Sequence, residues 1–425
     1  MKCTLQIFTD DRWVDCSTIT ARADGGSFFE YDLDYAFEPG AEAVALHYRV
    51  DASLHTFRHW PPFLYDLIPQ GNGRKFLLGE LRLPDGPAAD FPLVAAGAFN
   101  PIGRLRVKEA VEYFDQHVQR HDEHLAQHGF TLEEIVARGG QFHERMMVHS
   151  MLAAGTTGVQ GAAPKYLLTK DRHGLWHADG ALPDGEAKSH YIVKRPRGPS
   201  ADDKKVLRNE AAYMAVAAAM GIRTHGTLEY ADDLLFIPRF DRQAENGKVI
   251  RKHQESAASL LGLTGFDGRP SQFELLNAIR AHVTDKTAET IEFLKRDVLN
   301  LAMRNTDNHA RNTAVQKIDG VIRLTPLFDF APMYLDPEGI TRAARWYHPD
   351  SKKELLQWHE VLAALDLDDE ERIPVANALR DFGARMSELA NYMREAGVDE
   401  DIVTFLQPGI DEQIRQLGSL GEQTW

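Results

Sequence analysis

Cysteine is almost absent from this chain: among 425 residues only Cys3 and Cys16 occur, thirteen apart and without a metal-ligand spacing. That excludes a disulfide-stapled scaffold and a cysteine-built zinc module, and it predicts two unpaired thiols in a reduced setting. Long apolar runs are missing too, since no stretch reaches the ~20 residues that a membrane helix needs. The opening MKCTLQIFTDDRWVD meets acidic residues before a signal-peptide core can form, so the expected location is cytoplasmic, with no membrane partner. Neither an internal repeat nor a low-complexity tract occurs. Positive charge is in deficit: 48 Lys and Arg stand against 63 Asp and Glu, a net charge of −15. Such a surface does not grip phosphate backbones unaided, yet a small basic cleft for a nucleotide remains open.

What is present suits two or three globular domains of ordinary composition. Residues 1–110 read as mainly β, with strand-like runs at Thr4–Phe8 and Val44–Val50 and a closing run at Gly103–Val107. A polar helix follows from Lys108. Its His117, His121, His124 and His128 share one helical stripe, but no carboxylate or cysteine pattern sharpens a metal site, so the stripe reads as a solvated face. His143-Glu144 with His149 misses the i, i+4 spacing of a helical zinc site. Strand-like runs at Tyr166–Thr169, His190–Lys194 and Leu234–Pro238 precede amphipathic helices at Val206–Met220, Ser271–Val283, Lys286–Arg304 and Arg372–Ala396. A small β-rich layer before a helical body is a two-lobe arrangement.

The chemistry concentrates in Arg304–Ala314, RNTDNHARNTA, directly after a helix. Asp307 and Asn312 have the D-x-x-x-x-N spacing of a kinase catalytic loop. An aspartate there takes or orients the proton of the attacking hydroxyl, and an asparagine oxygen five positions on helps to hold Mg²⁺. Two strand-like runs, Thr313–Gln316 and Val321–Thr325, are joined around Asp319-Gly320, a hairpin pair. The second run delivers Asp329 in LFDFAP, the position of a second Mg²⁺ ligand, although the motif is DFA rather than DFG. His309 reads as bracing the loop, on the nucleotide side of the site, rather than as a general base.

ATP needs further contacts. Gly155, Gly158 and Gly161, spaced G-x-x-G-x-x-G with Thr157 among them, would let backbone N–H groups approach phosphate oxygens. Lys194, ending HYIVK, would neutralise phosphate charge as the strand lysine of kinases does, with Glu210 as its candidate partner. Phe236 and Ile237 would hold the adenine edge.

Taken together these residues resemble the HipA family of serine/threonine kinase toxins from bacterial toxin–antitoxin systems. PPFLYDLIPQG (Pro61–Gly71) and FNPIGRLRV (Phe99–Val107) resemble the family's N-terminal signatures. GVQGAAPKYLL, HYIVKRP, RNEAAYMAVAAAMGI, IPRFDR, HQES, NTDNHARN and LFDFAP follow in the family's order. The resemblance implies an α+β chain: a two-lobe protein-kinase-like fold with an added N-terminal β-rich subdomain and a mostly helical C-terminal lobe. Its implied divisions are 1–110 for the subdomain, 111–240 for the N-lobe with glycine-rich loop and ATP lysine, and 241–425 for the C-lobe. Asp307 resembles the catalytic aspartate, Asn312 and Asp329 the Mg²⁺ ligands, Lys194 the ATP lysine, and Phe236–Ile237 the hinge. The implied activity is ATP-dependent phosphorylation of a serine or threonine in a protein substrate, inhibiting growth. A HipB-type DNA-binding antitoxin is the implied partner, with DNA reached only through it. Alternatives are a kinase-like corepressor that works by binding its antitoxin on DNA, and a small-molecule or lipid kinase. Two departures stand out: Ser256 in HQES replaces an acidic residue, and the family's G-x-Q position falls on Gly158 or Gly161. The family's glycine loop carries a self-phosphorylated serine; here Thr156 and Thr157 are the nearest hydroxyls.

Overall fold

Alternating apolar residues and tight turns build the first sheet. In the computed structural model, which describes residues 1–121, 129–137 and 165–421, β1 (Lys2–Thr9) and β2 (Arg12–Ala21) form an antiparallel hairpin. Asp10 and Asp11 close it with φ of 48° and 59°. Two successive left-handed residues make the turn whose twist matches the strands, and aspartate tolerates this region better than most residues. β3 (Ser27–Tyr31), β4 (His55–Phe57) and β5 (Leu105–Val107) complete the order β4-β3-β2-β1-β5. Cys3, Leu5 and Ile7 on β1 alternate into a core around fully buried Phe29, whose ring meets Tyr31, Tyr48 and Phe63 edge-on. Both thiols are buried and unpaired, and burial pushes each up to about 12.

The Val44–Val50 run is not a strand. Its Val44 and Ala45 fill the core, and the Tyr31 hydroxyl accepts from Val44 N (3.1 Å) and donates to Tyr48 O (2.7 Å). A single tyrosine thus satisfies backbone groups that a ladder would otherwise have to pair.

Contacts divide the chain into two compact units. One comprises Met1–Arg197, Phe236–Glu255 and Gly262–Phe266; the other comprises Gly198–Leu235, Ser256–Leu261 and Asp267–Trp425. The first unit also holds β6 (Lys165–Asp171), antiparallel to both β7 (Trp176–Ala178) and β8 (Ala187–Lys194). The second is mostly helical. Its Ala201–Ala219 helix begins in a capping box of Ser200 and Asp203 and ends at Gly221 (φ 80°), with Ile222 N donating back to Ala217 O. The Asp369–Arg385 and Glu400–Gly418 helices meet at Gly383, where a Cβ would stand 2.6 Å from the Leu417 Cβ. The single helix expected over Arg372–Ala396 is interrupted by a 3-10 turn at Met386–Glu388. The tighter winding brings Met386 and Leu389, both fully buried, onto one face. Among the described residues no helix is long and apolar enough to cross a membrane.

The arginines of IPRFDR belong to a buried charge cluster in the first unit. Asp179 accepts from Arg239 (2.6 Å), Arg242 (3.1 Å), Asn100 (2.9 Å) and Thr169 (2.8 Å). Asp241 accepts from Arg239 (2.6 Å) and from Gly103 N (2.9 Å). Two arginines and two aspartates balance, so the His190 ring beside Asp179 (3.3 Å) stays neutral in preference to adding a buried charge. Burial lowers the His190 pKa, although Asp179 pulls the other way. The unfolded chain therefore takes up a proton near the ordinary histidine value of 6.5 while the folded chain does so only at lower pH. Stability is expected to fall as pH drops below about 6.5, and His190→Gln to flatten that slope in denaturant titrations at pH 7 and 5.5.

Candidate active site

The Lys286–Ala302 helix sets the floor of the site. Asp285 caps its start, and Phe293, Arg296, Asp297 and Asn300 fall on one stripe that lines a pocket of about 470 Å³ counted to its open mouth. The chain then leaves the helix through Arg304 at φ 48° and enters the loop carrying Asp307, Asn308 and Asn312, which line the same pocket. A one-turn 3-10 helix, Ala310–Asn312, shapes this loop. His309 caps that turn, its Nδ1 accepting from Arg311 N (3.2 Å). With Nδ1 an acceptor, the ring's proton sits on Nε2, which lies 3.6 Å from Asp307 Oδ1.

Asn312 Nδ2 donates to the backbone oxygen of Asp307 (2.8 Å). This bond closes the loop and leaves the Asn312 amide oxygen as the end available to a cation. The hairpin expected next forms as Ala314–Ile318 and Val321–Leu324, with Asp319 and Gly320 both at positive φ. Its far strand is pinned by Glu289, which accepts from Leu324 N (2.8 Å) and from Arg223 (2.9 Å). LFDFAP follows, tied by Leu327 N to Arg223 O (2.7 Å). Phe330 is fully buried against Tyr213, whose hydroxyl donates to Met303 O at the end of the helix (3.1 Å). Asp329 sits at φ 56°, a left-handed conformation that lets neighbouring Phe330 enter the core while Asp329 lines the pocket. The structure thus brings Asp307, Asn312 and Asp329 to one pocket.

The Asp329 carboxylate and the Asn312 amide oxygen are hard donors suited to Mg²⁺. Among the described residues no group of three or more His, Cys, Asp or Glu could hold a metal ion. One carboxylate and an amide oxygen fit Mg²⁺ nonetheless, because that ion keeps several waters and draws further oxygens from substrate phosphates.

Of the other candidates, Lys194, Phe236 and Ile237 lie in the first unit, and Glu210 is a buried residue of the Ala201–Ala219 helix in the second. Lys194 ends β8, is buried, and stands opposite Lys165 on β6, so two ammonium side chains share one face. Phe236 packs its ring on Trp176 (5.3 Å) and belongs to the core, whereas Ile237 is half-buried. Gly155, Thr156, Thr157, Gly158, Gly161 and the side chains of the histidine stripe fall outside the described residues. Ser256 of HQES has a clear job: its hydroxyl accepts from Ser259 N (3.1 Å) and caps the helix that starts at Ala257. Serine and aspartate cap about equally well, so either can fill this local role.

Sequence reasoning missed the pocket's supports. Asp297 accepts from Gln272 (2.9 Å), Arg342 (2.6 Å) and Trp346 (2.7 Å), partners that no local spacing connects. The one available signal was an aspartate on the buried stripe of an amphipathic helix.

Comparison with known proteins adds the following. The HipA-like C-terminal domain matches residues 157–394, more than half of the chain, and the HipA N-terminal domain matches residues 5–108. No curated protein shows significant similarity. Among solved structures, a similar chain comes from the complex of HipA, HipB and operator DNA of the Shewanella oneidensis MR-1 toxin–antitoxin system. It is 18% identical, with a TM-score of 0.65 over 99% of this chain and 99% of that chain. Another, the Helicobacter pylori proinflammatory kinase CtkA, is 15% identical with a TM-score of 0.39, over 55% of this chain and 91% of that one. The α+β class expected from the sequence is the class that the Shewanella likeness supports across the whole chain.

Proposed function

The chain belongs to the HipA family, and from that premise we propose that it is an ATP-dependent serine/threonine protein kinase. The observation that carries the reading is the convergence of Asp307, Asn312 and Asp329 on one pocket. Magnesium bound there would neutralise β- and γ-phosphate oxygens as charge shifts in the transition state. Asn312 and Asp329 are read as its ligands, the asparagine oriented by its bond to Asp307 O (2.8 Å). Asp307 takes or orients the proton of the incoming hydroxyl. His309 holds the turn, with its Nε2 3.6 Å from Asp307 Oδ1. Lys194 and Ile237 are read as the phosphate and adenine contacts of the nucleotide. The Gly155–Gly161 segment is read as covering the phosphates, with Thr156 or Thr157 as the site of self-phosphorylation.

A HipB-type antitoxin is the partner we propose, since the structural neighbour was solved with HipB and operator DNA. DNA would be reached through that partner, in keeping with the net charge of −15. The test is lysate labelling with [γ-³²P]ATP, in Mg²⁺ and in EDTA, followed by phosphoamino-acid analysis. Mg²⁺-dependent label on serine or threonine is expected. Asp329→Asn is expected to weaken Mg-ATP binding by roughly tenfold or more, read by calorimetry. Label in a lipid or metabolite fraction would favour a small-molecule kinase; no Mg-ATP binding and no transfer by the wild type would sink the proposal.

A further inference from the structure

Residues 341–346 run past the catalytic loop without any sheet or helix of their own. Side chains therefore supply most of the bonds that hold this segment in place. Asn308, adjacent to Asp307, clamps it: Oδ1 accepts from Ala343 N (3.0 Å) and Ala344 N (3.3 Å), while Nδ2 donates to Ala344 O (2.8 Å). Asp297 holds the flanks, accepting from Arg342 Nη2 with both oxygens (2.7 and 2.6 Å) and from Trp346 Nε1 (2.7 Å). Gln272 completes the fastening, its backbone N–H donating to Arg345 O (2.9 Å) and its side chain to Asp297 (2.9 Å). Asp297 and Asn308 both line the pocket that holds Asp307 and Asp329.

We infer that Asp297 and Asn308 are positioning residues that lock the Arg342–Trp346 segment to the catalytic loop and thereby align Asp307 with the acceptor hydroxyl. The inference rests on the phosphoryl-transfer reading above. Asn308 is one residue from Asp307, so a shift of the clamped segment is passed straight to the aspartate. Asn312 bonds to the backbone oxygen of Asp307 rather than to its carboxylate, so a reorientation of that carboxylate leaves the asparagine held. Asp297 is 2% exposed, and a desolvated carboxylate with Arg, Trp and Gln donors is a directional anchor. Such alignment affects turnover with the acceptor and spares nucleotide affinity. Misplacement by about an ångström is enough to cost roughly 100-fold in rate.

The experiment uses full-length Asp297→Asn and Asn308→Ala proteins, the second removing no charge and serving if the first fails to fold. Hydrogen exchange followed by mass spectrometry reports the 341–346 peptide, calorimetry reports Mg-ATP affinity, and [γ-³²P]ATP labelling of lysate protein reports transfer. The expected result is lost protection confined to that peptide, protein labelling down roughly 10- to 100-fold, and Mg-ATP affinity within about threefold of wild type. Arg342→Lys, which keeps the charge, is expected to retain more labelling than Arg342→Ala. Unchanged protection, or labelling that falls only as far as nucleotide affinity or the folded fraction does, would overturn the inference. A wild type that labels nothing would instead remove the phosphoryl-transfer reading, and with it any role for the clamp in transfer. Lost protection in the variants would then mark the clamp as architecture only.

Discussion

Asp307→Asn is expected to lower phosphorylation of protein by roughly 10²–10⁴-fold, the range that a positioned general base contributes. Asparagine is nearly isosteric with aspartate but cannot accept the hydroxyl's proton. The loop should keep its shape, because Asn312 bonds to the backbone oxygen of residue 307 rather than to its side chain. Lys194, Asn312 and Asp329 are unaltered in this variant. Mg-ATP affinity is therefore expected to stay close to wild type while turnover collapses. Single-turnover transfer from [γ-³²P]ATP, set beside calorimetric Mg-ATP binding, separates the two quantities. Wild-type transfer by Asp307→Asn would remove this residue from the chemistry. A parallel loss of nucleotide binding would place it on the metal instead.

The largest effect on stability is expected at Asp179, far in sequence from the Asp307 loop. Its side chain is 1% exposed and touches Asn100, Thr169, His190, Arg239 and Arg242. Truncation to alanine leaves two buried guanidinium groups facing the single carboxylate of Asp241. Breaking a buried ion pair by removing one partner costs about 3–5 kcal/mol, because the remaining charge is uncompensated. In a chain of this size that lowers Tm by roughly 3–6 °C. Asp179→Asn keeps an acceptor for Asn100 and Thr169 and should fall between the two. The Asp179 pKa is held well below the ordinary carboxylate value by Arg242 and Arg239, against the opposing effect of burial. A depressed folded-state pKa means that the stabilisation is complete above the unfolded value near 3.9 and disappears as pH falls below it. Wild type should therefore lose stability relative to Asp179→Asn as acid is added below about pH 4. Thermal melts between pH 7 and 3 check both the size of the effect and its sign. A Tm for Asp179→Ala equal to wild type would show that the cluster contributes nothing to folding.

The two sites differ in how far they could be read ahead. Asp307, Asn312 and the hairpin that leads to Asp329 occupy one short run of chain, and each feature has a local cause. Helix ends need caps, a two-residue hairpin needs positive φ, and Asp319-Gly320 supplies it. The HQES departure was legible only as a change of charge; its structure shows a helix cap that either residue type can make. Val44–Val50 misled because apolar alternation reports burial, and burial can be satisfied without a ladder when Tyr31 serves the backbone.

By itself, then, the sequence determined that Asp307, Asn312 and Asp329 are the candidates for the site, since they lie on one short run of chain, and it carried the family in motifs ordered along its length. Only the tertiary structure decided what holds them. Asp297 meets Trp346 across 49 positions, Asn308 meets Ala344 across 36, and Arg242 meets Asn100 across 142. The physical reason is that a buried charge and a solvated one look the same in a sequence. Whether Arg242 or Asp297 faces water or a partner is settled by strands and helices packing from distant parts of the chain, which no local spacing encodes.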